Sequence, residues 1–139
     1  MRVLVLIACS KRKADRPRKA KELYLGRLFQ EAKQFAERRG YEYRIISAKF
    51  GLIDPDTIIA PYDQTIRTKE DLLRVRELVL PRLEKMMERF ERIIVFGGKK
   101  YRQVLEPLWD ERFTFVKSKG YGELCKKIHE ATFGGGTIE

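Results

Sequence analysis

Six apolar residues, Val3-Leu4-Val5-Leu6-Ile7-Ala8, follow Met1-Arg2 and are followed at once by Cys9-Ser10-Lys11-Arg12-Lys13. A short apolar run that is rich in β-branched residues and ends in polar ones is typical of a central strand in a parallel sheet, because both faces of such a strand are covered. The polar residues then lie at the carboxyl end of the strand, where open α/β sheets bind their ligands. This stretch therefore predicts a fold class and the position of a site.

Strand and helix patterns alternate along the rest of the chain. Three further runs have strand character, at 41–47, 92–96 and 113–116. Apolar residues at helical spacing predict helices at 25–36, 72–90, 99–108 and 121–128. This alternation predicts an α/β fold, a three-layer sandwich with a mostly parallel sheet of about four strands and helices on both faces. An added antiparallel edge strand in the long connection at 51–68 stays open.

The boundaries of the elements carry local signals. Thr68 and Asp71 have the spacing of a capping box, which would start the longest helix. Pro81 interrupts that helix and predicts a kink or two abutting helices, because proline removes one helical hydrogen bond. We predict a single domain over 1–133 and a mobile tail over 134–139, which contains three successive glycines.

The chain is strongly basic, with 30 Lys and Arg against 20 Asp and Glu and a formal net charge of +10. Between Lys11 and Lys21 lie seven basic residues and a single acidic residue within the loop, Asp15, which gives this block a charge of +6. Such a block indicates a polyanionic partner, either nucleic acid or a phosphorylated nucleotide ligand. The alternative is a solvated loop without a partner.

The two cysteines, Cys9 and Cys125, do not form a disulfide framework, and with His129 they provide no zinc ligand set. No apolar run approaches the roughly 18 residues that span a bilayer. We therefore predict a cytoplasmic protein with free thiols, no metal site and no membrane association. The pattern identifies no cofactor and no oligomeric state.

Three predicted strand ends combine small residues with lysine, at Cys9–Lys13, Ser47–Gly51 and Gly97–Tyr101. Small residues let backbone N–H groups approach an anion, and lysine adds positive charge. With Tyr62 from the long connection, these loops give the predicted phosphate- or ligand-binding residues, which are Ser10, Lys11, Arg12, Lys13, Ser47, Lys49, Gly51, Tyr62, Gly97, Gly98, Lys99 and Tyr101. Ordinary turn chemistry on a lysine-rich protein is the alternative. Neither standard glycine-rich nucleotide fingerprint is present.

Two residues are candidates for catalysis, Cys9 and Asp63. Neighbouring cations would stabilise a Cys9 thiolate, the nucleophilic form of cysteine, although a small buried residue at a strand end is the alternative. Asp63 could act as a general base or orient a sugar hydroxyl, and the alternative is an aspartate that forms a turn. In this hypothesis Lys49 and Lys99 hold phosphate and Tyr62 stacks on a base.

The same motifs resemble those of a family of small bacterial and archaeal proteins of unknown function. The resemblance is carried by Cys9–Lys13, Leu23-Tyr24, Ser47–Ile53, Ala60–Asp63, Gly97–Tyr101 and Gly120–Glu123. More distantly, Ser47–Ile66 is similar to the YaaA peroxide-stress proteins, where a Ser, a Gly-Leu and a Pro-Tyr follow in the same order. That similarity implies DNA binding and protection against oxidative stress. Cys9–Tyr24 loosely resembles a motif of the archaeosine synthase family, which implies modification of a tRNA base.

Two functional hypotheses follow. The first is a nucleotide- or nucleic-acid-directed enzyme that modifies a base or acts on an N-glycosidic bond in a phosphate-binding pocket. The second is a non-catalytic nucleic-acid-binding or stress-response module that uses the basic block.

Overall fold

The computed structural model describes residues 1–138. Its strands are β1 Val3–Ala8, β2 Arg18–Lys19, β3 Glu42–Ser47, β4 Gly51–Ile53, β5 Ile58–Ile59, β6 Arg92–Phe96 and β7 Phe113–Phe115. Its helices are α1 Ala20–Leu23, α2 Arg27–Arg39, α3 Lys69–Met87, α4 Lys99–Leu105 and α5 Tyr121–Phe133, with a 3₁₀ turn at Glu106–Leu108.

The main sheet has five strands in the order β4-β3-β1-β6-β7, and β1 lies at its centre. Leu4 of β1 pairs with Glu42 of β3 on one side and with Ile93 of β6 on the other, both in parallel. All six residues of β1 are buried, as expected for a strand that is covered on both faces. The predicted α/β class with a mostly parallel sheet is confirmed.

Helices cover the two faces of β1 with separate apolar clusters. Val3, Val5 and Ile7 belong to one cluster with residues of α2 and α5. Leu4 and Leu6 belong to another with residues of α3 and α4. Because successive side chains of a strand point to opposite faces, the continuous apolar run of β1 serves both clusters at once.

The prediction of about four strands is wrong by one, because β4 adds an antiparallel edge strand. A turn at 48–50 brings the chain back beside β3, so that Ser47 pairs with Gly51 and Ile45 with Ile53. Helix α3 secures this hairpin, since the guanidinium of Arg82 donates to the carbonyl of Leu52 over 2.7 Å. The long connection thus begins with a strand.

The predicted capping box at the start of α3 is confirmed. The amide of Asp71 donates to the Thr68 hydroxyl and the amide of Thr68 donates to the Asp71 carboxylate, each over 3.1 Å. The alternative of two abutting helices around Pro81 is wrong, because α3 continues through Pro81 as one helix. Pro81 and Glu77 are both exposed, so water can satisfy the Glu77 carbonyl that lacks an amide donor.

The C-terminal segment contacts the core through Ile138, which is 6% exposed and belongs to the cluster on the α2 side. The amides of Gly134 and Gly136 both donate to the carbonyl of Glu130. Glu139, the last residue of the predicted tail at 134–139, lies outside the described residues. Within residues 1–138, no helix has the length and apolarity needed to cross a membrane.

Candidate functional site

Two clefts meet at the carboxyl end of β1. The first has a volume of about 350 Å³ and carries four lysines, Lys11, Lys13, Lys99 and Lys100; we call it the cationic cleft. The second has a volume of about 390 Å³ and includes Ala8, Leu28, Phe29 and Tyr121; we call it the apolar cleft. Cys9, Ser10, Lys11, Gly98 and Tyr101 line both clefts. The loops after β1 and β6 therefore build one continuous site, as the parallel sheet predicts.

Cys9 lies on the wall that the two clefts share and is partly exposed. Its amide donates to the carbonyl of Ile46 over 2.9 Å, which extends the pairing of β1 with β3 by one residue. Its Sγ lies 3.2 Å from the hydroxyl of Tyr101. Burial, and then the nearby Cys9, raise the pKa of Tyr101. Tyr101 therefore keeps its proton and can donate a hydrogen bond to a Cys9 thiolate.

Lys13 supplies positive charge beside Cys9. Its Nζ donates to the carbonyl of Lys11 over 3.2 Å and lies 4.4 Å from the ring centroid of Tyr62. Burial lowers the pKa of Lys13, while Cys9 and Asp63 act in the opposite direction. The contact with the aromatic ring holds the flexible lysine side chain in place. Lys13 thus brings a partly desolvated amine to the site.

A chain of hydrogen-bonded hydroxyl groups fixes the Tyr62 ring that Lys13 contacts. The Tyr24 and Tyr62 hydroxyls lie 2.6 Å apart, and the Tyr62 hydroxyl lies 2.7 Å from Ser47 Oγ. The amides of Lys49 and Phe50 both donate to Ser47 Oγ and fill its two lone pairs. The Ser47 hydroxyl must therefore donate to Tyr62, which in turn donates to Tyr24. Ser47, predicted to bind ligand, is fully buried and anchors this chain.

The hydroxyl chain is expected to make stability fall at alkaline pH. Burial raises the pKa of Tyr24 to about 12, from an ordinary value of 10.0, and also raises the pKa of Tyr62 and Tyr101. The folded state therefore holds more protons above pH 10 than the unfolded state. The stabilisation is complete below about pH 10 and is lost as the pH rises, by up to about 1.4 kcal/mol per pH unit for each tyrosine.

Urea denaturation between about pH 9 and pH 11 measures this dependence. Tyr62→Phe should flatten the decline, whereas Tyr41→Phe, outside the hydroxyl chain, should leave it unchanged. An equally steep decline in Tyr62→Phe would contradict the role of the chain.

Five predicted binding residues lie outside both clefts, and two of them, Ser47 and Tyr62, belong to the hydroxyl chain. Lys49 is exposed on the turn at 48–50, with its Nζ 5.3 Å from the ring centroid of Phe50. Gly51 packs against Leu78, and Gly97 packs against Ala8. Lys49 and Gly51 lie away from the clefts because the loop after β3 turns back as a hairpin along the sheet edge. The site is thus built from two strand-end loops, residues 64–66 and the starts of α2 and α5.

Asp63 lines a neighbouring depression of about 310 Å³ together with Lys11, Lys13, Ala14, Pro61 and Tyr62. Its carboxylate is exposed and acts on Lys13 by charge, as the direction of its effect on the Lys13 pKa shows. The ring of Tyr62 contacts Lys13 and, edge-on, Phe50 at 5.5 Å between centroids. Asp63 by its charge and Tyr62 by its ring thus both act on the site through Lys13.

Sequence reasoning gave no site role to Tyr24, Lys100 or Tyr121. Lys100 directly follows Lys99, so the loop pattern could have included it; its Nζ donates to the carbonyl of Arg67 over 3.1 Å. Tyr24 and Tyr121 lie in motifs that carry the family resemblance, but periodicity and spacing gave them no site role, because they reach the site from distant parts of the sequence. Within residues 1–138, no three or more His, Cys, Asp or Glu side chains group together in a way that could hold a metal ion.

The sheet and its strand-end clefts place this molecule among the α/β proteins whose candidate site lies outside the carboxyl ends of parallel strands. The chain belongs to a family of unknown function (DUF6884), which matches residues 4–122 and so includes both clefts. It is similar to the uncharacterized protein YfjM of Bacillus subtilis (strain 168), with 29% identity over 143 residues, covering 94% of this chain and 95% of that protein. No solved structure matches the chain significantly.

Proposed function

We propose that the protein is an enzyme that acts on a nucleotide, or on a nucleotide unit of a nucleic acid, with Cys9 as its reacting group. One observation carries the proposal: the Cys9 thiol lies where the cationic and apolar clefts meet. A nucleotide likewise joins a charged phosphate to a flat apolar ring. The matching division of the site supports this class of substrate over a simple anion or a purely apolar ligand.

Phosphate binding is assigned to the lysines of the cationic cleft. Lys11 and Lys99 are exposed, and within residues 1–138 neither ammonium group has an ion pair with a carboxylate. Lys100 is already held by the carbonyl of Arg67, which fixes its position at the rim. Charge-assisted hydrogen bonds from lysine to phosphate are stronger than neutral ones, so these groups would provide most of the affinity for the charged end.

Cys9 supplies the nucleophile and Tyr101 its hydrogen-bond donor. At a base, the thiolate sulfur bonds to an electrophilic ring carbon, and the displaced electron pair moves to the adjacent ring atom, which takes a proton. At a sugar, the sulfur bonds to the anomeric carbon, and the base leaves with the bonding electron pair and takes a proton. Lys13, which interacts by charge with both Cys9 and Asp63, offers a cationic group beside the nucleophile.

The first test is binding of labelled DNA and RNA oligonucleotides, single- and double-stranded, measured by fluorescence anisotropy over a range of salt concentrations. Lys99→Gln removes one phosphate contact and should weaken binding by about fivefold, equivalent to about 1 kcal/mol. Lys85→Gln, an exposed lysine on α3, is the matched control and should leave the affinity unchanged. Equal affinity of Lys99→Gln and wild type would contradict the proposal.

The second candidate is a non-catalytic module that binds nucleic acid through the basic block. The structure offsets part of the +6 charge of that block, since Asp56, from outside it, pairs with Lys21 over 2.9 Å and lies 4.0 Å from Lys19. Arg12 and Arg18 remain exposed and favour this candidate. Binding that falls in an Arg16→Gln, Arg18→Gln, Lys19→Gln variant, but not in Lys99→Gln, would establish it in place of the enzyme.

A further inference from the structure

We infer that the apolar cleft is the subsite for the planar base, and that the cationic cleft holds the phosphate of the same ligand. The inference rests on the proposed function and makes it specific. The substrate is then a nucleoside phosphate, free or within a strand, whose base lies on the α2 side of Cys9 while its phosphate lies on the α4 side.

The apolar cleft has the size and walls that a base needs. Its volume of about 390 Å³ falls within the range of roughly 300–1,000 Å³ that small-molecule sites occupy. Leu28, Phe29 and Tyr101 present carbon-rich surfaces to it. Two cationic residues, Lys11 and Arg12, line this cleft, whereas four lysines line the other. The smaller number of cations and the larger number of aromatic side chains favour a planar ring here over a second phosphate.

Tyr121 provides an aromatic surface that is open and fixed. The residue is 57% exposed, and its hydroxyl accepts a hydrogen bond from the amide of Leu28 over 2.9 Å. This bond ties the start of α5 to the start of α2, so the ring stays at the cleft without closing it. Stacking on such a ring contributes affinity for any base, because every base has a π-face.

The wall between the two clefts is rigid, which separates base and phosphate in a defined way. Ser10 Oγ accepts from the amide of Gly26 over 3.1 Å and donates to the carbonyl of Arg12 over 2.8 Å. A Cβ on Gly26 would lie 2.6 Å from the Ser10 Cβ, so the loop after β1 packs directly on the start of α2. Cys9, next to Ser10, is thereby held at the boundary between the two clefts.

Calorimetry with two kinds of ligand tests whether the base and the phosphate occupy separate clefts. The four nucleoside 5′-monophosphates engage both clefts, and inorganic pyrophosphate engages only the cationic one. Leu28→Trp fills the apolar cleft and should weaken binding of the preferred nucleotide by at least about fivefold, with pyrophosphate affinity unchanged. Lys99→Gln should weaken both ligands. Leu73→Trp, on an exposed leucine of α3, is the matched control.

Tyr121→Leu and Tyr121→Phe are a second pair of variants, at an exposed position where a substitution leaves the core packing unchanged. Leucine should reduce nucleotide affinity, whereas phenylalanine, which keeps the ring but loses its bond to the Leu28 amide, should reduce it less. If the nucleotide binds but neither Leu28→Trp nor Tyr121→Leu weakens it, the base lies elsewhere and this inference fails while the proposed function stands. If the wild-type protein binds none of the nucleotides or oligonucleotides, both fail together.

Discussion

Replacing Cys9 by serine is expected to lower turnover by at least about 10³-fold, because the serine hydroxyl does not ionise at neutral pH and, within residues 1–138, the side-chain partner of the Cys9 sulfur is the Tyr101 hydroxyl rather than a general base. The measurement is the rate of base release or base mass change in an oligonucleotide panel, followed by mass spectrometry. Intact-protein mass spectrometry should detect a covalent adduct in the wild type that Cys9→Ser lacks. Nucleotide affinity should change by less than about twofold, since the substitution removes no phosphate contact.

Two further variants separate chemistry from folding. Cys125→Ala changes the other thiol, which is fully buried on α5, and should retain full turnover. Tyr101→Phe removes the hydroxyl 3.2 Å from Cys9 Sγ and should slow turnover by about 10²-fold, the cost of losing one positioned donor. A Cys9→Ser protein with wild-type turnover would remove Cys9 from the mechanism and leave a binding role for the site.

Replacing Gly51 by alanine is expected to lower the free energy of unfolding by about 2–4 kcal/mol. Gly51 has a φ of +79°, and a Cβ there would lie 2.5 Å from the Leu78 Cβ. The left-handed backbone and the clash with α3 both oppose a side chain at the start of β4. Urea denaturation followed by circular dichroism measures the loss.

Gly40 is the matched control, because it has a φ of +68° but open space around its Cβ position. Gly40→Ala should therefore cost only the backbone strain, about 1 kcal/mol. Equal losses at the two positions would show that α3 yields to the new side chain. Folded Gly51→Ala protein should bind nucleotide like the wild type, which separates the packing of Gly51 from the ligand binding that its sequence position predicts.

Much of the fold could be predicted because the signals are local. The uninterrupted apolar run of β1 has the same limits in the sequence and in the structure, and the Thr68 capping box marks the start of α3. The extra strand β4 could not be predicted in the same way. It has only three residues, Gly51–Ile53, and its direction depends on contacts with α3 that lie far along the chain.

The site residues likewise divide into those that local signals predict and those that depend on tertiary contacts. Cys9, Lys11 and Lys99 follow buried strands directly, so the rule for parallel sheets is enough to bring them together. Lys49 follows a strand in the same way, but the hairpin turn carries it to the outer edge. Tyr24 and Tyr121 enter the site through tertiary packing, which periodicity and spacing do not reveal.

The central place of β1 in the sheet has a consequence for how the protein is made on the ribosome. The central strand of the main sheet is synthesised before the other four strands of that sheet, and its partner β6 ends only at Phe96. A nascent chain that has not reached this point exposes six adjoining apolar residues with one unpaired edge, which is the kind of segment that chaperones bind and that aggregates. Both edges of β1 can be paired only after about two thirds of the described chain has emerged. A pause in translation before Arg92 would therefore expose β1 longest.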